Sequence, residues 1–315
     1  MKKFSKKTNI LIITVFLIAI STMLSCAPFL YNKYIDGQRK NANLKIKSVD
    51  IEGVRIVYAE AGTGDIVIML HGLGGSKDDW LQIAKYFTPN YRVIIPDLPG
   101  YGESSKSADI NINIIPQVEK LNLFAKELKL TKFHLVGISM GGDIAGNYAA
   151  DYPEMVKTLA LFDSAGVKEP TKSKMTLLME KGTNPFRVKD VDDFDKLMGF
   201  LFLKPPEMPS FIKQYLAKQA METTRNYEIY EKKWKEKGLW NDWFILESKL
   251  NKITAPTLIV WGDSDKTINI SCVPVFEKNI KNSKSVIIKE CGHLPIMEKP
   301  AETASIYNDF LKARN

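Results

Sequence analysis

The sequence predicts an α/β fold, a mainly parallel sheet covered by helices on both faces. Continuous apolar runs recur at Asp65 to Leu70, Tyr91 to Ile95, Phe133 to Val136, Thr158 to Phe162, Thr257 to Trp261 and Ser285 to Ile288. Strands buried on both faces read this way. Segments of helical period lie between most of them, the spacing of a sheet built from crossover connections. The rhythm breaks once, over residues 167–250, where the chain is helical in period and interrupted at Pro185, Pro205, Pro206 and Pro209. That stretch is expected to be a helical lid inserted into a core made of 44–166 and 251–315. With 315 residues, 45% of them apolar and 25% charged, the chain is long enough for one such domain with its insertion.

Taken in order, Met1 to Ser25 reads as a targeting segment. Lys2, Lys3, Lys6 and Lys7 precede a charge-free apolar run from Ile10 to Ile20. Ser25-Cys26 then resembles the cleavage site of bacterial lipoproteins, which implies acylation at Cys26; the competing reading is an uncleaved membrane anchor. Either way, the expectation is an exported, membrane-tethered protein. Residues 26–43 read as a polar tether, with Lys33, Arg39 and Lys40 free to meet anionic headgroups. Outside the first 25 residues, 40 basic side chains face 36 acidic ones, which gives no nucleic-acid footprint. Cys272 and Cys291 are expected to be buried free thiols, although an exported chain permits a disulfide.

Leu44 to Ala61 alternates as an antiparallel pair of strands turning at Gly53. Ser76 looks like a helix N-cap with Asp79 three residues on, followed by a stripe of Trp80, Ile83, Ala84 and Phe87. Leu121, Phe124, Ala125 and Leu128 mark the next helix. The strand from Phe133 then enters Gly137-Ile138-Ser139-Met140-Gly141, and a helix runs from there to Tyr152, stopped by Pro153. A serine at such a strand-to-helix turn is forced into a strained conformation, with glycines where the chain nearly touches itself. The helix after it aims unpaired N–H groups at the same point.

A serine hydroxyl needs a base, and the base needs an acid to orient it. The chain has three histidines. His134 lies within a buried strand, and His71 precedes a glycine loop and reads as structural. His293, directly after the last strand, is the remaining candidate base. The acid belongs in a loop at the carboxyl end of a strand between serine and histidine. Asp265 is favoured because it stands far enough past its strand to turn back; Asp263 suits the turn itself, and Asp163 after the preceding strand is a third candidate. Backbone N–H groups of Met140 and Leu73 are the expected oxyanion donors. The glycine loop lacks the Lys-Ser/Thr ending of a phosphate loop. Three scattered histidines and isolated cysteines give no metal-ligand spacing, and no cofactor is expected.

Taken together, His71-Gly72-Leu73-Gly74-Gly75, Asp97-Leu98-Pro99-Gly100-Tyr101-Gly102-Glu103-Ser104, Gly137-Ile138-Ser139-Met140-Gly141-Gly142, Trp261-Gly262-Asp263-Ser264-Asp265 and Gly292-His293 resemble the α/β-hydrolase superfamily, in that order. The resemblance implies an eight-stranded, mainly parallel sheet with a helical lid after the sixth strand, and a triad of Ser139, Asp265 and His293. Phe194 to Met198 and Lys204-Pro205-Pro206 further resemble the monoacylglycerol lipase and bacterial lipase 1 branch. The expected activity is hydrolysis of a carboxylic ester, an acylglycerol or similar lipid, through an acyl-enzyme. Met175, Leu177, Leu178, Met179, Phe194, Leu197, Met198, Leu201, Phe202, Phe211, Ile212, Tyr215 and Leu216 suit an acyl chain if they line a slot, though any lid must first pack its own helices. Two rival readings stay open: carbon–carbon bond hydrolysis or perhydrolysis on the same site, and a non-catalytic binding module on this fold.

Overall fold

The structure, a computed structural model, describes residues 26–238 and 244–314. The targeting segment Met1 to Ser25 lies outside them. Helix α1 covers residues 26–41. Strands β1 (Lys45–Ile51) and β2 (Val54–Ala61) form an antiparallel pair, turning at Gly53. Then come β3 (Ile66–Leu70), a 3-10 turn (Lys77–Trp80), α2 (Leu81–Ala84), β4 (Arg92–Pro96), α3 (Ile114–Glu127), β5 (Phe133–Ile138), α4 (Met140–Asp151) and β6 (Val156–Phe162). After β6 the chain forms α5 (Lys174–Glu180), α6 (Val191–Leu201) and α7 (Ser210–Glu236). It closes with β7 (Thr257–Gly262), α8 (Val273–Asn279), β8 (Ser283–Ile288), α9 (Pro295–Glu298) and α10 (Pro300–Lys312).

The eight described strands make one sheet in the order β1-β2-β4-β3-β5-β6-β7-β8. The first two pairings, β1 with β2 and β2 with β4, are antiparallel, and all later ones are parallel. The apolar runs have the expected cause, since successive residues feed opposite cores. Ile68, Leu70, Leu135, Leu161, Ile259 and Trp261 pack with Phe124 of α3, Tyr148 of α4 and Phe276 of α8. Their neighbours Val67, Met69, Val136, Phe162, Leu258 and Val260 pack on the other face with Trp80, Tyr307 and Phe310. At ~25 cal/mol per Å² of apolar surface, two such layers supply the main driving force for this topology.

Ser76 caps the 3-10 turn in a full capping box with Asp79, as its sequence signature implied. The segment 26–43 differs from the tether expected. Most of it is helical, and α1 lies against the domain: Tyr31 meets Tyr215 of α7 with ring centroids 5.6 Å apart, and Gln82 donates to the Tyr34 hydroxyl at 3.0 Å. The guanidinium fork of Arg39 is engaged bidentately by Asp78 at 2.9 and 2.6 Å, the geometry this planar cation favours. Among the described residues no helix is long and apolar enough to cross a membrane. Cys272 and Cys291 are free and buried, and burial pushes the Cys272 thiol up to about 12.

Candidate active site

Ser139 sits between β5 and α4 with φ 55° and ψ −123°, a backbone conformation that costs a residue with a side chain roughly 1–3 kcal/mol. The fold imposes it through close approach. A Cβ at Gly137 would lie 2.0 Å from the Gly141 carbonyl oxygen, and one at Gly141 would lie 2.4 Å from that of Leu70. The Ser139 N–H donates to Phe162 O at 3.0 Å, and its carbonyl accepts from Gly142 at 2.9 Å and Ala165 at 3.1 Å. The turn is thus pinned to β6 on one side and to the first turn of α4 on the other. The glycine loop after β3 stands directly beside the serine, since a Cβ at Gly72 would lie 3.2 Å from Ser139 Cβ. Among the described residues no backbone carbonyl takes the N–H of Leu73 or Met140.

Asp265 and His293 come together from the loops after β7 and β8. Nδ1 of His293 and Oδ2 of Asp265 are 2.8 Å apart, with both side chains almost fully buried. The other carboxylate oxygen accepts N–H groups of Thr267 at 2.7 Å and Ile268 at 3.1 Å. Acceptors on both oxygens leave Nδ1 as the donor, which puts the imidazole lone pair on Nε2. Asp263 instead shapes its turn, accepting the Ser264 hydroxyl at 2.9 Å. Asp163 lies buried at the end of β6, its Oδ1 accepting the Gly262 N–H at 2.9 Å. Burial pushes its carboxyl well above the usual range, and the charge on Asp265 adds to this against the Gly262 bond.

Donor atoms of Asp163, Asp265 and His293 lie within 4.8 Å of one another, close enough to surround a cation. Their bonds run inward to each other and to the backbone, however. Of their fully buried oxygen atoms only Oδ2 of Asp163 lacks a partner, far short of the oxygen shell a hard cation needs. The other histidines serve the scaffold. His71 is buried, with Nε2 accepting the Leu98 N–H at 3.0 Å, so Nδ1 carries the proton and donates to Gly72 O at 2.8 Å. Burial lowers the His71 pKa. His134 bonds Thr158 at 2.8 Å across the sheet.

The helical insertion is joined to both loops of the site. Lys266 Nζ donates to Gly199 O at 2.9 Å and Thr267 Oγ1 to Phe200 O at 3.2 Å, while the His293 N–H donates to Leu201 O at 2.9 Å. Much of the apolar stripe read from the sequence packs within the insertion: Phe194, Leu197, Met198, Leu201 and Leu216 gather around Val188 and Ala217. Leu177 and Met179 face solvent. Lys77 and Asp97 form a unit that no sequence motif announces. Lys77 Nζ pairs with Asp97 Oδ2 at 2.9 Å with both side chains buried, and Asp97 also accepts the N–H groups of Lys77 and Glu103 at 2.6 and 2.8 Å. The sole hint was the rarity of a lysine on a buried helical turn.

This sheet, with a strained serine after β5 and an acid–histidine pair after β7 and β8, defines a hydrolase scaffold. Residues 65–300 match the alpha/beta hydrolase fold family, and the chain belongs to it. It is 35% identical to Lipase 1 of Psychrobacter immobilis over 283 residues, 88% of this chain and 87% of that one. It is 30% identical to monoacylglycerol lipase ABHD6 of Rattus norvegicus, covering 87% and 84%. Among solved structures, a bacterial membrane phospholipase A superposes with a TM-score of 0.87 at 34% identity, covering 98% of this chain and 99% of that one.

Proposed function

We propose that this protein is a serine hydrolase of carboxylic esters, acting on an acylglycerol or similar lipid ester through an acyl-enzyme. The observation that carries the reading is the 2.8 Å bond between His293 Nδ1 and Asp265 Oδ2, on the same edge of the sheet as the strained Ser139. In this reading Ser139 Oγ attacks the ester carbonyl and its proton passes to His293 Nε2. Asp265 stays ionised and stabilises the imidazolium. The N–H groups of Leu73 and Met140 hold the oxyanion; losing one such donor typically costs ~3 kcal/mol of transition-state stabilisation. His293 returns the proton to the departing alcohol, and water then releases the acid by the same steps in reverse order.

The insertion over 167–250 acts as the lid. Its helix α7 approaches the glycine loop, since a Cβ at Gly74 would contact Thr223 Cγ2 at 3.5 Å. Lipid esters are the favoured substrates because lipases and a membrane phospholipase are among the relatives. The chain is held at a membrane by its N-terminal segment with Cys26 acylated, a reading that rests on the apolar run before Cys26 and on the exposure of Cys26 at the head of α1.

The test is a chain-length series of monoacylglycerols, triacylglycerols and phospholipids presented to the full chain in detergent micelles. Turnover of the acylglycerols is expected, and absence of turnover on every ester would contradict the reading. Incorporation of an alkyne fatty acid in cells, lost in Cys26→Ser, checks the anchor; membrane retention without label would point to an uncleaved anchor instead.

A further inference from the structure

Asp163 is left without a task by the triad reading, yet its surroundings are unusual. It follows β6 with φ 42°, it is fully buried, and one of its oxygens lies within 4.8 Å of a carboxylate oxygen of Asp265. Oδ1 is satisfied by the Gly262 N–H at 2.9 Å. No N–H or O–H among the described residues reaches Oδ2. A buried acceptor with no donor is costly, and two ionised carboxylates side by side are costlier still. One proton shared between them removes both costs. The bonds of Asp265 say where that proton resides, because both of its oxygens already accept, from His293, Thr267 and Ile268. Asp163 has the oxygen in need of a proton.

We propose that Asp163 is a positioning residue, a neutral carboxylic acid that donates through its Oδ2–H to the Asp265 carboxylate and fixes the orientation in which Asp265 holds His293. It is not the alternative acid of the triad, since no hydrogen bond joins it to His293 among the described residues. The inference rests on the Ser139, Asp265 and His293 reading and deepens it. With Thr267 and Ile268 gripping Oδ1 from above, the Asp163 hydroxyl completes the set of donors that stop the Asp265 carboxylate from rotating away from Nδ1. The ionisable groups around Asp163 are Asp265 beyond β7, Glu298 on α9, and Cys291 and His293 beyond β8. No lysine or arginine stands among the main groups that set its charge, and the Gly262 N–H alone among them favours its ionised form. Deprotonation at high pH puts a second negative charge beside Asp265, and activity acquires a basic limb from it.

The test uses the full chain in detergent, with Asp163→Val, Asp163→Asn and Asp265→Ala assayed on one soluble ester across a pH series. Valine has no donor, so kcat is expected to fall on the order of 10²-fold, the scale of a misoriented catalytic group, with KM little changed. The asparagine amide donates N–H to Asp265 while its carbonyl keeps the Gly262 bond, so Asp163→Asn recovers most of what valine loses, without the basic limb. If asparagine is as damaging as valine, an ionised Asp163 is required and the inference is wrong. Full activity in Asp163→Val together with loss in Asp265→Ala overturns the inference alone. Full activity in Asp265→Ala overturns the triad beneath it. A second readout does not depend on how the valine variant folds. In the infrared difference between the unaltered protein and Asp163→Asn at neutral pH, the C=O stretch of one protonated buried carboxyl is expected to be lost; a difference spectrum without that loss contradicts the assignment.

Discussion

Glu298 Oε2 accepts the N–H of Gly292, the residue before His293, at 3.0 Å. The same carboxylate takes the N–H of Leu203 at 3.1 Å and that of Lys204 at 3.1 Å. One side chain thus ties the histidine loop to the end of α6, where a Cβ at Gly292 would lie 2.6 Å from Leu203 N. The insertion is anchored on the site at this end. Glu298→Ala is expected to lower kcat by about tenfold or more through a loosened His293. Steady-state kinetics on a soluble ester decide it, and an unchanged kcat would show that the loop holds itself.

The Lys77–Asp97 pair ties the 3-10 turn that follows the glycine loop to the end of β4. Removing one partner of a buried ion pair leaves an uncompensated charge and costs ~3–5 kcal/mol. Asp97→Ala is therefore expected to lose about 3 kcal/mol in urea unfolding, Glu103 remaining as a weaker partner for the ammonium at 2.8 Å. Lys77→Met combined with Asp97→Leu should regain part of that. A loss below about 1 kcal/mol in the single variant would mean that water reaches the pair.

Strain at Ser139 has a measurable counterpart. Glycine adopts φ 55° without penalty, so Ser139→Gly is expected to unfold later than the parent by about 1 kcal/mol while losing ester turnover. Ser139→Ala loses turnover without that gain. Equal stabilities for the two would place the strain elsewhere.

Burial pushes the Asp79 carboxyl up to about 7, from an ordinary 3.8, with Asp78 and Asp97 adding to the rise against the Ser76 N–H. Between these values the folded chain holds a proton that the unfolded chain has released, so this group's contribution falls as pH rises from about 4 to about 7. Asp79→Asn should flatten that part of the stability profile. Melting temperatures across the range test this, and a slope identical to that of the parent would refute it.

Much of this was legible in the chain because it depends on local pattern. The alternating feed of β3, β5 and β7 into two cores appears as unbroken apolar runs, and the Ser76–Asp79 cap and the Gly137–Gly141 contact involve near neighbours. Asp265 could be preferred over Asp263 and Asp163 by its reach beyond β7. The proximity of Asp163 to Asp265 could not be read, because it brings together residues about a hundred positions apart through sheet register alone. Helix α1 was hidden for a related reason. Its polar composition suits a linker, and what holds it are tertiary partners, Asp78 for Arg39 and Tyr215 for Tyr31. In the insertion, an apolar stripe looks alike whether it packs against its own helices or lines a slot.

The proposed reaction depends above all on Ser139 being a nucleophile activated by His293. Labelling with a fluorophosphonate probe, mapped by peptide mass spectrometry, tests it most directly. A single adduct on Ser139 is expected, formed more slowly by a factor on the order of 10²–10⁴ in His293→Ala. An adduct on another serine, or equal labelling rates in the two proteins, would contradict it.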